Sequence, residues 1–236
     1  MQVGIMQPYF FPYIGYWQLI YAVDKFVLLD DVNYIMRGYI NRNSILLNGN
    51  PYRFTIPIKK ASQNKLIMET KLNFSLPEKR KFLKLLDCAY KHAPYYDVVM
   101  PIIEYIILSP QEDLTKYIYI SLNEVCKYLQ IQTEILISSQ IEKNTDLHGE
   151  NRIIEICKKL HANIYINPCG GRKLYSQENF RKENIELYFL DTIQECIYYK
   201  QKKGEFVSNL SILDVMFYNN RETIARFLGE YELNQT

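Results

Sequence analysis

At 236 residues, 48% of them apolar, the chain is long enough for one large domain with a full core, or one domain carrying an insertion. A net charge of +2 excludes a disordered polyelectrolyte and gives no reason to expect DNA as a partner. The five cysteines are odd in number, widely spaced and without a C-x-x-C pair, which argues against a disulfide framework or a zinc site and fits a reducing, cytoplasmic compartment.

No charged residue occurs from Met1 to Val23, yet Gly4, Pro8, Pro12 and Gly15 interrupt the run, no basic segment precedes it, and its tyrosines and glutamines would be costly in hydrocarbon. The start therefore reads as a first strand, with no membrane insertion. Val3 to Met6 is that strand. A proline-punctuated loop follows, then a helix from near Gly15 with Trp17, Leu19, Ile20 and Val23 along one side, then a second strand, Phe26 to Leu29. The crossover is too long for a hairpin, so the pair is expected to be parallel.

In such a unit both strand-end loops open on one edge of the sheet, where open α/β folds usually hold ligands. The first loop offers Gln7, Tyr9, Tyr13, Gly15 and Tyr16, and the second Asp30, Asp31, Tyr34, Arg37, Asn41, Arg42 and Asn43. Gly15 at a helix start leaves N–H groups suited to a phosphate or carboxylate. Asp30 and Asp31 are the candidate proton-transfer or Mg²⁺-binding groups; adjacent strand residues point oppositely, so one of the two is expected to face the mouth. Asp31 paired with Arg37 is the structural alternative. Biased codon usage would explain the 21 tyrosines without any site.

Tyr52 to Lys59 alternates as a third strand, after an entry turn at Asn48 to Pro51; if it ends on the same edge, Lys59 and Lys60 supply charge for a diphosphate. Met68 to Asn73 is expected as a further strand. A helical block then covers about 76–130. Capping boxes at Ser75/Glu78 and Ser109/Glu112 mark two helix starts around Pro77 and Pro110, and Pro94 to Leu108 is a helix between them. Three consecutive helices in an alternating chain read as an insertion or lid. Cys88 and Cys126 are assigned to core packing.

Alternation resumes with a strand at Glu134 to Ser138, a helix at Glu150 to Leu160, a strand at Asn163 to Asn167, a helix at Gln177 to Glu183 and a strand at Ile185 to Leu190. Two short helices and a polar tail close the chain. Gly170 and Gly171 after a buried strand allow close backbone approach to a ligand, with Arg172 and Tyr175 beyond them. Cys169 is the only thiol placed to act as a nucleophile there, and none of His92, His148 and His161 stands at a diagnostic spacing from it; Cys169→Ser is expected to leave activity largely intact. The expected fold is α/β: a Rossmann-like, mostly parallel sheet with flanking helices and a helical insertion.

The segments QPYFFPYIGYWQLI, DKFVLLDDVNYIMRGYINRN, INPCGGRKLY and LSILDVMFYN, in this order across nearly the whole chain, resemble the WbqC-like family, found in bacterial loci for O-antigen and other surface polysaccharides. The resemblance implies transfer of an acyl or aminoacyl group, such as glycyl, to the amine of a nucleotide-linked amino-deoxy sugar. It adds Gly170, Gly171 and Tyr175 to the candidate substrate-binding set of Gln7, Tyr9, Gly15, Arg37, Asn41 and Arg42, with Asp30, Asp31 and Tyr16 as candidate catalytic residues and no resident metal. The donor stays open between a free amino acid with ATP and Mg²⁺, a carrier-protein thioester and an aminoacyl-tRNA. A second resemblance is to nucleotidylyltransferases and pantothenate synthetase, whose His-x-Gly-His loop would correspond to Tyr13-Ile14-Gly15-Tyr16; tyrosine carries no positive charge at neutral pH, which sets this chain apart. A noncatalytic glycan- or sugar-nucleotide-binding role is the alternative from another class. RNA binding through tyrosines and the Lys200 to Lys203 cluster is the third, weakened by the lack of a sustained basic stripe.

Overall fold

The computed structural model describes residues 1–202 and 204–235, so Lys203 of the basic cluster lies outside the described residues. The first strand, β1 (Gln2–Met6), runs through α1 (Ile14–Tyr21) into β2 (Lys25–Leu28), and the two strands are parallel, with Val3 opposite Lys25 and Met6 opposite Leu28. Gly4 lets this crossover close down on the sheet, because a Cβ there would meet Leu19 at 3.2 Å and Phe26 at 3.3 Å. The later alternation supplies β5 (Glu134–Ile137), α5 (Gly149–Lys159), β6 (Ile164–Pro168), α6 (Gln177–Lys182) and β7 (Glu186–Thr192). An antiparallel edge strand, β8 (Tyr231–Asn234), lies where the sequence reads as a polar tail.

The six strands stand in the order β5-β2-β1-β6-β7-β8, all parallel except β8. The order reverses between β1 and β6, because the chain leaves β1 toward β2 and later returns to β1's other side. That reversal is the switch point at which open sheets form a crevice beyond their carboxyl ends. Alternation sorts the two faces: Val3, Ile5 and Val27 pack with Ile153, Ile156 and Cys157 of α5 and Phe180 of α6, while Phe26 and Leu28 join Trp17 and Leu19 of α1 on the other side.

The second face also receives the insertion, α2 (Leu76–Tyr90), α3 (Tyr96–Leu108) and α4 (Leu114–Leu129), with α7 (Ile212–Tyr218) and α8 (Arg221–Gly229). Ser75 and Glu78 form the expected capping box, the Ser75 N–H donating to Glu78 Oε2 at 2.7 Å. The expected box at Ser109/Glu112 does not form. Asp113 caps α4 instead, accepting from the Lys116 N–H at 3.0 Å, while Glu112 pairs with Lys59 and the Ser109 carbonyl accepts from Lys79. Cys126 is buried as expected, whereas Cys88 is exposed.

Two strand expectations also fail. The Tyr52 segment becomes β4 (Asn50–Thr55), paired antiparallel with β3 (Arg42–Leu47) in a separate hairpin, so its end is not on the carboxyl edge. Lys59 goes to Glu112 at 2.8 Å and Lys60 is exposed. Met68 to Asn73 is a 3-10 turn, Ile67–Glu69, with single bridges from Lys71 to Asp113 and from Leu72 to Ile58. Among the described residues, no helix is long and apolar enough to cross a membrane.

Candidate functional site

The strand order sets the loops after β5, β2, β1, β6 and β7 side by side on the carboxyl edge. The tyrosine-rich turn after β1 is therefore flanked by the acidic pair after β2 on one side and the paired glycines after β6 on the other.

The tyrosine turn is held tightly. Phe11 sits at φ +44°, a left-handed conformation that a bulky side chain rarely adopts, and its carbonyl accepts from Asn43 Nδ2 at 2.8 Å and from Ser211 Oγ at 2.7 Å. The Ile212 N–H donates to Pro12 O at 2.9 Å, and Trp17 Nε1 donates to the same carbonyl at 3.1 Å. Tyr16 is buried and donates its hydroxyl to Gln7 O at 2.8 Å. Burial raises its pKa well above the ordinary value, and Tyr9 stacks on it at 5.4 Å. Tyr9 and Tyr13 are half-buried, and burial raises both of their pKa values.

Beyond the switch point the start of α1 reaches the end of β7. A Cβ on Gly15 would lie 2.8 Å from the Tyr13 ring and 3.0 Å from Thr192 Oγ1 at the end of β7, so glycine here permits close contact between the start of α1 and β7. Neither Asp nor Glu occupies the first turn of α1, and no side chain caps it. Gly171 is buried against Asn167, where a Cβ would lie 2.1 Å from Oδ1, whereas Gly170 faces open space. Cys169 is exposed. Arg172 grips Asp191 with both terminal nitrogens, Nη1 at 3.0 Å, and this pairing holds the carboxyl below its usual range. Tyr175 stands on the α5–α6 face, edge-on to Tyr165 at 5.6 Å.

The acidic pair divides. Asp30, 1% exposed, accepts from the Ser139 N–H at 2.9 Å and Ser139 Oγ at 2.8 Å. Burial raises its pKa despite those bonds. Asp31 meets Lys143 Nζ at 2.9 Å and Ser138 Oγ at 2.8 Å, and its backbone carbonyl accepts from Arg152 Nη1 at 2.5 Å. Burial alone would raise Asp31 too, but these bonds and the charges of Lys143 and Arg152 outweigh it and hold the carboxyl below its ordinary value. Its cations are thus Lys143 and Arg152, not Arg37, which is exposed at φ +63°.

Other expected ligand groups are engaged internally. Asn41 accepts from Tyr34 OH at 2.7 Å and donates to Ile56 O at 2.7 Å, and Arg42 donates through Nε to Gly38 O at 2.6 Å. The Ser211/Asp214 motif divides, Ser211 clasping the tyrosine turn and Asp214 making a separate buried knot. Asp214 accepts from Tyr90 OH at 2.9 Å, Tyr199 OH at 2.7 Å and Gln201 Nε2 at 2.9 Å, and burial raises its pKa. Among the described residues, no group of three or more His, Cys, Asp and Glu side chains is placed to hold a metal.

Sequence reading passed over Ser138, Ser139, Lys143 and Arg152 because they are distant from both loops in the chain. The strand-end rule that selected the other loops also covers the loop after β5, once that strand is placed beside β2. No solved structure matches the chain significantly. It is 28% identical over 218 residues to the uncharacterized protein Rv1507c of Mycobacterium tuberculosis, an alignment spanning 92% of this chain and 93% of that protein. The model of the WbqC-like protein family matches residues 7–226, and the chain belongs to that family.

Proposed function

We propose that this protein is an amide-forming enzyme of surface polysaccharide synthesis, transferring an acyl or aminoacyl group to the amine of a nucleotide-linked amino-deoxy sugar. The observation that carries the reading is the side-by-side placing of the β1, β2 and β6 loops on the carboxyl edge, with Gly170 facing open space. In this reading Tyr9 and Tyr13 wall the sugar or base. Asp30 is the proton acceptor, because burial raises its carboxyl above the ordinary value, while Lys143 holds Asp31 below it. Asp30 itself is buried, whereas Ser139, whose hydroxyl bonds it, is an exposed residue. The amine nitrogen attacks the acyl carbon, the bond to the donor's leaving group breaks, and the amine proton passes to Ser139 Oγ as Ser139 hands its own to Asp30. Tyr16, with its hydroxyl on Gln7, shapes the turn.

The test is turnover of amino-sugar nucleotides into amides, followed by mass spectrometry with free amino acid plus ATP and Mg²⁺, carrier-protein thioesters and aminoacyl-tRNAs as donors. Ser139→Ala and Asp30→Asn are expected to lower kcat by about 10²-fold or more. Saturable sugar-nucleotide binding with no product from any donor would leave a binding partner in polysaccharide assembly and remove the enzyme.

A further inference from the structure

The small net charge hides an asymmetry. From Val32 to Met68 the sequence holds six of the 28 basic residues, Arg37, Arg42, Arg53, Lys59, Lys60 and Lys65, and none of the 26 acidic ones, so the rest of the chain is net acidic. The segment is also one structural block. The loop after β2 is bonded to the return segment by Tyr34 N–H to Lys65 O at 2.8 Å and Ile67 N–H to Val32 O at 2.9 Å, and to β3 through Arg42. Lys59 is taken by Glu112. Arg37, Arg53, Lys60 and Lys65 are exposed and, among the described residues, have no acidic partner. The acids nearest the block are committed elsewhere: Asp30 and Asp31 are sequestered as described, and Glu69 accepts from the Leu66 N–H at 2.9 Å.

The same block presents large apolar side chains to solvent. Ile35 is 50% exposed, Met36 44%, Tyr39 55%, Tyr52 45% and Met68 37%. A concavity of about 410 Å³ runs between Asn33–Met36 and Gln63–Asn64. Exposed aliphatic groups among cations, with no anion interspersed, match the chemistry of a bilayer interface, where hydrocarbon enters the headgroup layer and Lys or Arg meets lipid phosphate. A nucleic acid would be met by polar and aromatic groups, and Ile35, Met36 and Met68 neither stack on bases nor bond them.

We propose that the 32–68 block is a docking surface for an anionic lipid bilayer, with the Ile35–Met36 tip among the headgroups and Arg37 and Lys65 beside it on lipid phosphates. Tyr39, on the same loop, lies 6.1 Å from Tyr9, so docking sets the carboxyl-edge mouth beside the membrane surface. The inference does not depend on acyl transfer.

Cosedimentation of the full chain with vesicles of phosphatidylcholine alone, and of phosphatidylcholine mixed with phosphatidylglycerol, tests it. Binding is expected to the mixed vesicles only and to weaken with salt. Because each basic residue contributes about 1 kcal/mol at such a surface, Arg37→Glu/Lys65→Glu should weaken it by at least about thirtyfold. Ile35→Ser/Met36→Ser should also weaken it, whereas Lys158→Glu/Lys159→Glu, on α5 across the sheet, should not. The proposal is overturned by no binding, by equal binding to neutral vesicles, by equal loss in the α5 variant, or by transfer RNA displacing the vesicles.

Discussion

Asp214 and the Asp30–Asp31 pair are buried carboxylates of one residue type met by different donors. Asp214 is surrounded by three neutral donors from two separate parts of the chain: Tyr90 of α2, and Tyr199 and Gln201 of the segment before α7. With no cation to offset burial, its carboxyl is pushed upward. Asp31 lies less deep, its side chain 10% exposed, and Lys143 and Arg152 reverse the direction there, whereas Asp30 next to it follows Asp214. Burial pushes all three carboxyls upward, and the charge of the donors decides whether that push prevails. What separates Asp30 from Asp214 is access, because Asp30's partner Ser139 is exposed and all three side-chain donors to Asp214 are buried.

The strongest way to break the comparison is at the knot. Asp214→Ala strands two tyrosine hydroxyls and an amide, and is expected to cost about 3–5 kcal/mol in urea unfolding. A loss under 1 kcal/mol would mean that the three donors find water or each other. Lys143→Met comes next. Lys143 and Asp31 side chains are 2% and 10% exposed, so removing the cation leaves a buried anion and should cost about 3 kcal/mol at neutral pH. The sign follows from the lowered carboxyl: the pair's contribution is complete above about pH 4, the unfolded value of an aspartate, and is lost as pH falls through the folded value. Variant and parent should converge in acid, and a pH-independent difference would count against an ionised Asp31. Asp214 has the opposite dependence, its raised carboxyl favouring the fold as pH falls through the folded value. The smallest effect separates the paired glycines. Gly171→Ala drives a methyl into Asn167 and should cost about 1–3 kcal/mol, while Gly170→Ala, facing open space, should stay within about 0.5 kcal/mol by thermal melting.

The parallel sheet was legible because each strand is a short apolar run with a helical crossover, and the insertion because Ser75, Glu78 and Pro77 mark a helix start in only three residue types. The failures have one physical origin. Ser109 and Glu112 carry the same pattern, but Glu112 gains an ion pair with Lys59 from outside the helix and Asp113 takes its place as cap. β3 and β4 could be assigned to the main sheet or to a hairpin by alternation alone, since periodicity does not say which neighbour a strand will find. At the candidate site the loops were legible from strand ends, whereas the division of labour within them was not. Whether Asp30 or Asp31 is ionised depends on Lys143, more than a hundred residues away.

The carbonyl of Phe11 has a consequence for how this mouth comes into being. Its two side-chain donors come from β3 and from Ser211 at the start of α7, and the chain from Pro12 to Tyr13 is bridged to Ser211. During synthesis, the turn that follows the very first strand thus waits for almost the last helix before it has its clasp. Until residue 211 has left the ribosome, the early half of the protein can build its sheet pair but has no finished opening.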